Sequence, residues 1–500
     1  MPTLTRSNMS SRRHGTEALP QAVNIAAQGP SMPTRRETVA VSAPGKVLLA
    51  GGYLVLDRRY TGLVLGLSAR INVVAAEIRT SEGVQLNEIA VDSPQFLEAQ
   101  WRYGYRLAPE GGGIKVTQLQ VRNEVSPNNF VETTLSYALT YVDRVAPRSS
   151  GHSIGAARLV ILADNDYYSQ TSDYSQTSDY SQTSDYSQTA NYSQTAAASG
   201  EEARRRFAKF PVPLSRAHKT GLGSSAALVT SLTASLLSHY LPRHVFDVST
   251  PAGRTTLHNL AQAAHSAAQG KVGSGFDVAA AVYGSCTYRR FSPDLLRQLP
   301  EPGAPGFGEG LARLVDGAPG WDVDVDSGGP RMPRGVALRM CDVDCGSQSV
   351  GMARRVLEWR GRDAEASTRL WDDLQARNDG LAAALRDGAR AELPAAIRAV
   401  RALVREMGRL SDVPIEPEAQ TQLLDAVSAV DGVYGGVVPG AGGYDAVALV
   451  VDDDDETRQR LDARLAEWCR DKGARVRLLD VKGETEGVRR EELNVYAGWL

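Results

Sequence analysis

The chain reads as an α+β protein of two domains, and three observations predict this class. Strand-like and helix-like segments mix without strict βαβ alternation. The 500 residues exceed what a single core usually fills. A stretch rich in Gly, Pro and Asp, 291–335, separates two stretches of regular texture. The expected organisation is a disordered N-terminal extension 1–38, a first domain 39–290 with a disordered insertion at 165–203, a linker or excursion 291–335, and a second domain 336–500.

Composition narrows the function classes. Hydrophobic residues make up 42% of the chain, enough for packed cores, and the net charge of -3 argues against a broad basic surface for nucleic acid. No run of 18 apolar residues predicts a membrane span. Cys286, Cys341, Cys345 and Cys469 are too few and too scattered for a disulfide framework, and Cys341 and Cys345 lack the second pair or nearby His that zinc would need. The expectation is a cytoplasmic protein, monomer or homodimer, with neither nucleic acid nor membrane as partner.

Taken in order, residues 1–38 carry five arginines among Ser, Pro and Thr without apolar periodicity, so they cannot bury enough surface to order themselves. A transit peptide and a true start at Met32 are both open readings of that segment. Residues 39–41 and 47–50 read as short strands flanking Pro44, Gly45 and Lys46. A lysine between buried strands is costly unless it faces an anion or carboxylate, the alternative being an exposed turn lysine. Strand-like texture continues through 62–78, 101–105 and 113–121. A helix is predicted from Asn128, with Phe130, Leu135, Leu139 and Val142 on one face. After a strand at 157–166, three perfect copies of Tyr-Ser-Gln-Thr-Ser-Asp begin at Tyr168, and two degraded ones follow from Tyr186 and Tyr192. A hexad with one aromatic has no core to make, hence the disordered insertion; kinase targeting and self-association are the functional alternatives to a tolerated expansion.

The stretch 219–227, "KTGLGSSAA", precedes a helical pattern that runs unbroken to Leu241. A glycine-rich turn opening a helix aims unpaired N–H groups and the positive dipole end at one point, where phosphate fits. The dinucleotide fingerprint is disfavoured, because Pro211 and Pro213 stand where a strand should enter; a plain glycine turn is the bland alternative. A second helix, 255–270, leads to Gly273, Ser274 and Gly275, which place Asp277 in the first turn of another helix. There it either caps the dipole or faces a phosphate or metal. In the second domain a strand near 336 is followed by a Gly-Ser turn and a helix, then by helical patterns at 364–388, 390–410 and 418–430. A second glycine turn at 439–445 comes before a strand, helix, strand tail.

Pro44-Gly45-Lys46, Gly221-Leu222-Gly223-Ser224-Ser225 and Gly440-Ala441-Gly442-Gly443, in this order and without a GxxxxGK[ST] loop, resemble the three motifs of the GHMP kinases. The wording, notably "SAPGKVLLAGGYLVLD", "GKVGSGFDVAAAVYGS" and "DVDCGSQSVGMARRVLEWR", is most similar to the fungal-type phosphomevalonate kinases within that family. The resemblance implies a ribosomal protein S5 domain 2-like N-terminal domain and a ferredoxin-like C-terminal domain. It also implies ATP and Mg²⁺, and phosphorylation of (R)-5-phosphomevalonate to 5-diphosphomevalonate on the way to isoprenoids and sterols. Mevalonate kinase, or another small-molecule kinase of this family, is the enzymatic alternative, and a catalytically silent ligand sensor of the same fold is the other.

By the same resemblance, Lys46 and Asp277 are the expected catalytic residues. Lys219, Gly221, Leu222, Gly223, Ser224, Ser225, Ala226, Gly442 and Gly443 are expected to hold ATP, with Ser225 also the metal ligand. Lys271, Ser274, Ser347 and Gln348 are expected at the acceptor, with Arg216 and His218 as further cations. Mevalonate kinase takes a glutamate metal ligand from the segment before Gly273. Here that segment, "AQAAHSAAQGK", has no acid, which leaves the rest of the Mg²⁺ shell unassigned.

Overall fold

A computed structural model of the protein describes residues 36–81, 86–119, 126–146, 154–168, 206–317, 320–328, 331–343 and 351–500. Its first strand, β1 (Val39–Ala50), is one element where the sequence predicts two short strands. It runs antiparallel to β2 (Gly62–Glu77), and the register shifts between Pro44 and Lys46. Pro44 lacks a ladder N–H, and between these two pairs β1 has only Gly45 where β2 has Leu67, Ser68 and Ala69, so the bulge lies on β2 and β1 runs on unbroken. Opposite the bulge, the Lys46 N–H donates to Leu222 O at 3.0 Å outside the sheet.

The other strands are β3 (Glu88–Asp92), β4 (Gln100–Leu107), β5 (Ile114–Gln118), β6 (Ala157–Ala163), β7 (Cys286–Arg289), β8 (Asp324–Asp326), β9 (Val336–Val343), β10 (Val433–Val437), β11 (Ala446–Asp452), β12 (Val476–Glu484) and β13 (Arg489–Glu491). The helices are α1 (Asn129–Val145), α2 (Ser224–Tyr240), α3 (Pro251–Ala268), α4 (Phe276–Tyr283), α5 (Asp294–Arg297), α6 (Phe307–Val315), α7 (Met352–Arg362), α8 (Ala364–Asp387), α9 (Leu393–Ser411), α10 (Glu418–Ser428) and α11 (Asp455–Lys472). Among the described residues the strands join in the order β10-β11-β9-β12-β2-β6-β3-β4-β5, with β1 and β7 also on β2. The sheet passes from the 336–500 half into the 39–290 half where Gly483 and Glu484 of β12 pair with Leu67 and Gly66 of β2.

Helix α2 is buried on nearly every side, as a helix apolar around most of its circumference must be. Its Leu232, Leu236 and Leu237 share a core with Val41, Leu65, Val73, and with Leu135 and Leu139 of α1. That core fixes the N-terminus of α2 against β1. The mixed α+β class follows the sequence expectation, and most helices fall within a few residues of it. Strands β3, β10 and β13 have no clear signal in the sequence; β10 carries two glycines and β13 is only three residues long.

One expectation is corrected and one open alternative is decided. Order extends past 165: residues 165–167 form a 3₁₀ turn, and Tyr168, the first residue of the hexad repeat, is buried against Phe96 and Phe210. The remainder of the repeat, 169–203, lies outside the described residues, as do Cys345 and residues 1–35. The segment 291–335 is an excursion that packs, since Phe307 of α6 lies edge-on to Tyr137 of α1 at 5.1 Å and Tyr141 donates to Asp316. Cys286, Cys341 and Cys469 are free thiols. No helix among the described residues is long and apolar enough to cross a membrane.

Candidate active site

Gly223 opens α2 in the left-handed region, at φ 82°, and no side chain caps the helix. The amides of Ser224, Ser225 and Ala226 therefore point outward without an acceptor among the described residues, at the positive end of a seventeen-residue helix. Gly223 is required for a second reason. A Cβ there would sit 2.8 Å from Cε of Lys46, whose stem lies flat against the turn.

Lys46 is half-buried, and its ammonium lies 5.7 Å from the ring centroid of Phe276. Among the described residues Nζ has no hydrogen-bond acceptor. Burial pushes its pKa below the ordinary 10.5, opposed by the charge of Asp277. A desolvated cation with one carboxylate nearby and no hydrogen bonds is incomplete, and a phosphate would complete it. Asp277 lies in the first turn of α4, which Gly275 opens; its Oδ1 accepts from the Val278 N–H at 3.0 Å. The position thus combines helix capping with a carboxylate facing Lys46.

The residue that links these pieces is not among those the sequence singles out. His265 of α3, 2% exposed, places Nε2 at 3.1 Å from Ser225 Oγ, 3.2 Å from Gln269 Nε2 and 3.9 Å from Asp277 Oδ2. It lies in the segment that lacks an acid, as the one histidine there. Among the described residues no group of three or more His, Cys, Asp or Glu could hold a metal ion alone. The Ser225 hydroxyl does fit a cation carried in by a nucleotide, whose other ligands are phosphate and water.

A cavity of about 90 Å³ opens beside Ser224 and Ser225, walled by Phe96, Trp101, Phe130 and Tyr168, with Lys219 on its rim. Its aromatic lining comes from well-separated parts of the chain, so no local motif announces it. Lys219 and Lys271 are exposed, and among the described residues neither ammonium has a carboxylate within ion-pair distance. Arg216 and His218 are exposed on the same approach to the turn. Ser274 is half-buried and its carbonyl accepts from Tyr288 OH at 2.7 Å. Arg290 ties that loop down by donating to Val272 O and Gly273 O, and to Leu56 O. Ser347 and Gln348 lie outside the described residues.

The turn at 440–443 meets a different environment. Gly440 N–H donates to Leu48 O, Gly442 N–H to Pro439 O and Gly443 N–H to Ile415 O, so the amides of Gly442 and Gly443 are already engaged. Tyr53 OH donates to Ala441 O at 2.6 Å, joining this turn to the loop after β1. Tyr53 itself has φ 65° and ψ −39°, a costly backbone for a residue with a Cβ. Beneath the turn, buried Glu416 accepts from Arg401 at 2.7 Å and Arg405 at 3.0 Å. The structure thus brings Lys46, Asp277 and residues 221–226 together, and gives the 440–443 turn a joint beside them.

The model of the GHMP kinases N terminal domain matches residues 208–285, the segment that carries α2, His265 and Asp277. A phosphomevalonate kinase of Gibberella zeae is 62% identical over 94% of this chain and 100% of its own length. One from Aspergillus fumigatus is 44% identical over 94% of this chain and all of its own. Among solved structures, Streptococcus pneumoniae phosphomevalonate kinase in complex with phosphomevalonate and AMPPNP superposes with a TM-score of 0.54 at 15% identity, covering 88% of this chain and 100% of that one. The resemblance to the GHMP kinases and the mixed α+β fold of these kinases are thereby shown.

Proposed function

The chain belongs to the phosphomevalonate kinase family, and on that premise we propose that it transfers the γ-phosphoryl group of ATP to the phosphate of (R)-5-phosphomevalonate, giving ADP and 5-diphosphomevalonate. The observation that carries this reading is the half-buried Lys46 ammonium, held without a hydrogen-bond acceptor between the Gly223 turn and Asp277.

The chemistry asks little covalent help of the protein. A phosphate monoester has a second pKa of about 6, so the attacking oxygen is ionised at neutral pH and needs no base. What remains is to bring two polyanions together and neutralise the charge between them. The amides of Ser224, Ser225 and Ala226 hold the nucleotide phosphates, and the aromatic cavity takes the nucleoside. Lys46 lies where donor and acceptor phosphates meet. Asp277 keeps that ammonium oriented and charged when no substrate is present. Ser225 holds Mg²⁺, which when bound shields the phosphate charge. Lys219, Lys271, Ser274, Ser347 and Gln348 serve the anionic groups around this centre. The 39–290 half supplies most of these groups and the 336–500 half the 440–443 joint, in a cytoplasmic monomer or homodimer.

An ADP-release assay with mevalonate and 5-phosphomevalonate side by side tests the reading. Turnover of 5-phosphomevalonate alone is expected; turnover of mevalonate alone, or of neither, overturns it.

A further inference from the structure

His265 faces three polar groups with a single ring nitrogen. With the Gln269 amide nitrogen 3.2 Å away, Nε2 receives a hydrogen bond and the ring proton resides on Nδ1. The single Nε2 lone pair is shared, in a three-centre hydrogen bond, with the Ser225 hydroxyl at 3.1 Å. A serine that gives its proton inward leaves both oxygen lone pairs free on its other side, where a metal-bearing phosphate chain would lie. An unprotonated nitrogen has nothing to offer a carboxylate, so Asp277, with Oδ2 3.9 Å away, is left to Lys46. The ring is locked in this orientation by burial and packing, being 2% exposed and 5.8 Å, centroid to centroid, from Phe130 of α1.

We propose that His265 is a positioning residue for the metal and nucleotide end of the site, whose Nε2 accepts from the Ser225 hydroxyl, turning its oxygen toward the cation and keeping Asp277 available to Lys46. The inference rests on the kinase reading above. It explains how a segment without an acid serves a metal-dependent transfer, since the residue there orients a ligand.

The test uses the full chain with a non-hydrolysable ATP analogue and Mn²⁺, whose binding is read by electron paramagnetic resonance. Changing a group that orients a metal ligand costs about 10- to 100-fold in metal affinity, and that loss is expected for His265→Phe. His265→Gln, whose amide reaches the position of Nε2, is expected to recover most of it, and His265→Asn, which reaches only Nδ1, is not. In turnover assays the Mg²⁺ requirement should rise with that same ranking, while the KM for 5-phosphomevalonate stays within about twofold. Wild-type Mn²⁺ affinity in His265→Phe, or equal losses in the Gln and Asn variants, overturns the proposal. Should His265→Phe not fold, the Gln and Asn pair decides alone. If the unaltered protein fails to phosphorylate 5-phosphomevalonate, the kinase reading falls, and the Mn²⁺ titration still judges His265.

Discussion

The turn at 221–223 and the turn at 440–443 are both rich in glycine but meet their surroundings in opposite ways. At the first, a helix begins with unpaired amides, the space beyond Gly221 is open, and the nearest cation has no hydrogen-bond acceptor. At the second, the amides of Gly440, Gly442 and Gly443 already donate to protein carbonyls, and a Cβ at Gly442 would collide with Ile415 O. A glycine-rich turn is therefore a binding element only where its amides are left unsatisfied. Where they are satisfied it is a joint, and here the joint connects the loop after β1 to the Glu416 cluster.

Changes at each turn break or sharpen this contrast. Lys46→Met should lower kcat by about a thousandfold, the scale of losing a charge stabiliser of the transition state, and Asp277→Asn by about 10- to 100-fold. Equal losses, with a pH profile demanding one basic group, would make Asp277 a base. The same Lys46→Met change should raise the melting temperature of the ligand-free protein by about 1–3 °C, because a desolvated cation is removed. The pH dependence has a definite sign. A lysine whose folded pKa lies below its unfolded 10.5 destabilises the protein at neutral pH, and the penalty is relieved as pH rises from the folded value toward 10.5. Lys46→Met should flatten that rise in urea-unfolding curves measured across alkaline pH.

Gly442→Ala should cost about 2–4 kcal/mol in urea unfolding while the folded enzyme keeps kcat/KM for ATP within about threefold, since it strains a joint. Gly223→Ala should cost only about 1–2 kcal/mol yet lower kcat/KM for ATP by about 10- to 100-fold, since it displaces Lys46 and the phosphate turn. The reverse pattern would exchange the two roles. Arg401→Met leaves Glu416 buried with only Arg405 and the Thr421 hydroxyl and should cost about 3 kcal/mol, read from the denaturation midpoint. Tyr53→Phe should show the smallest effect, about 1 kcal/mol from the lost bond to Ala441 O, with the KM for ATP unchanged.

Much of the site is legible in the chain because its chemistry is written locally. A helix start with Gly-Leu-Gly-Ser-Ser before it predicts outward amides from the backbone pattern alone, and Lys46 and Asp277 stand beside glycines that admit a ligand closely. His265 escapes such a reading because a histidine inside an apolar helix is usually satisfied by its neighbours, and Ser225 lies 40 residues away in sequence. The cavity walled by Phe96, Trp101, Phe130 and Tyr168 is invisible for the same reason, its parts lying on separate elements.

By itself, then, the sequence determined the α+β class, the placing of most helices and the glycine turn that opens α2, because periodicity, capping and glycine placement are local properties of the chain. Tertiary structure alone decided that 39–50 is one continuous strand, that Tyr168 belongs to the core, that the 440–443 amides are already engaged and that His265 joins Ser225 to Asp277. Each depends on which distant backbone or side chain arrives to satisfy a polar group, and no pattern along the chain records that arrival.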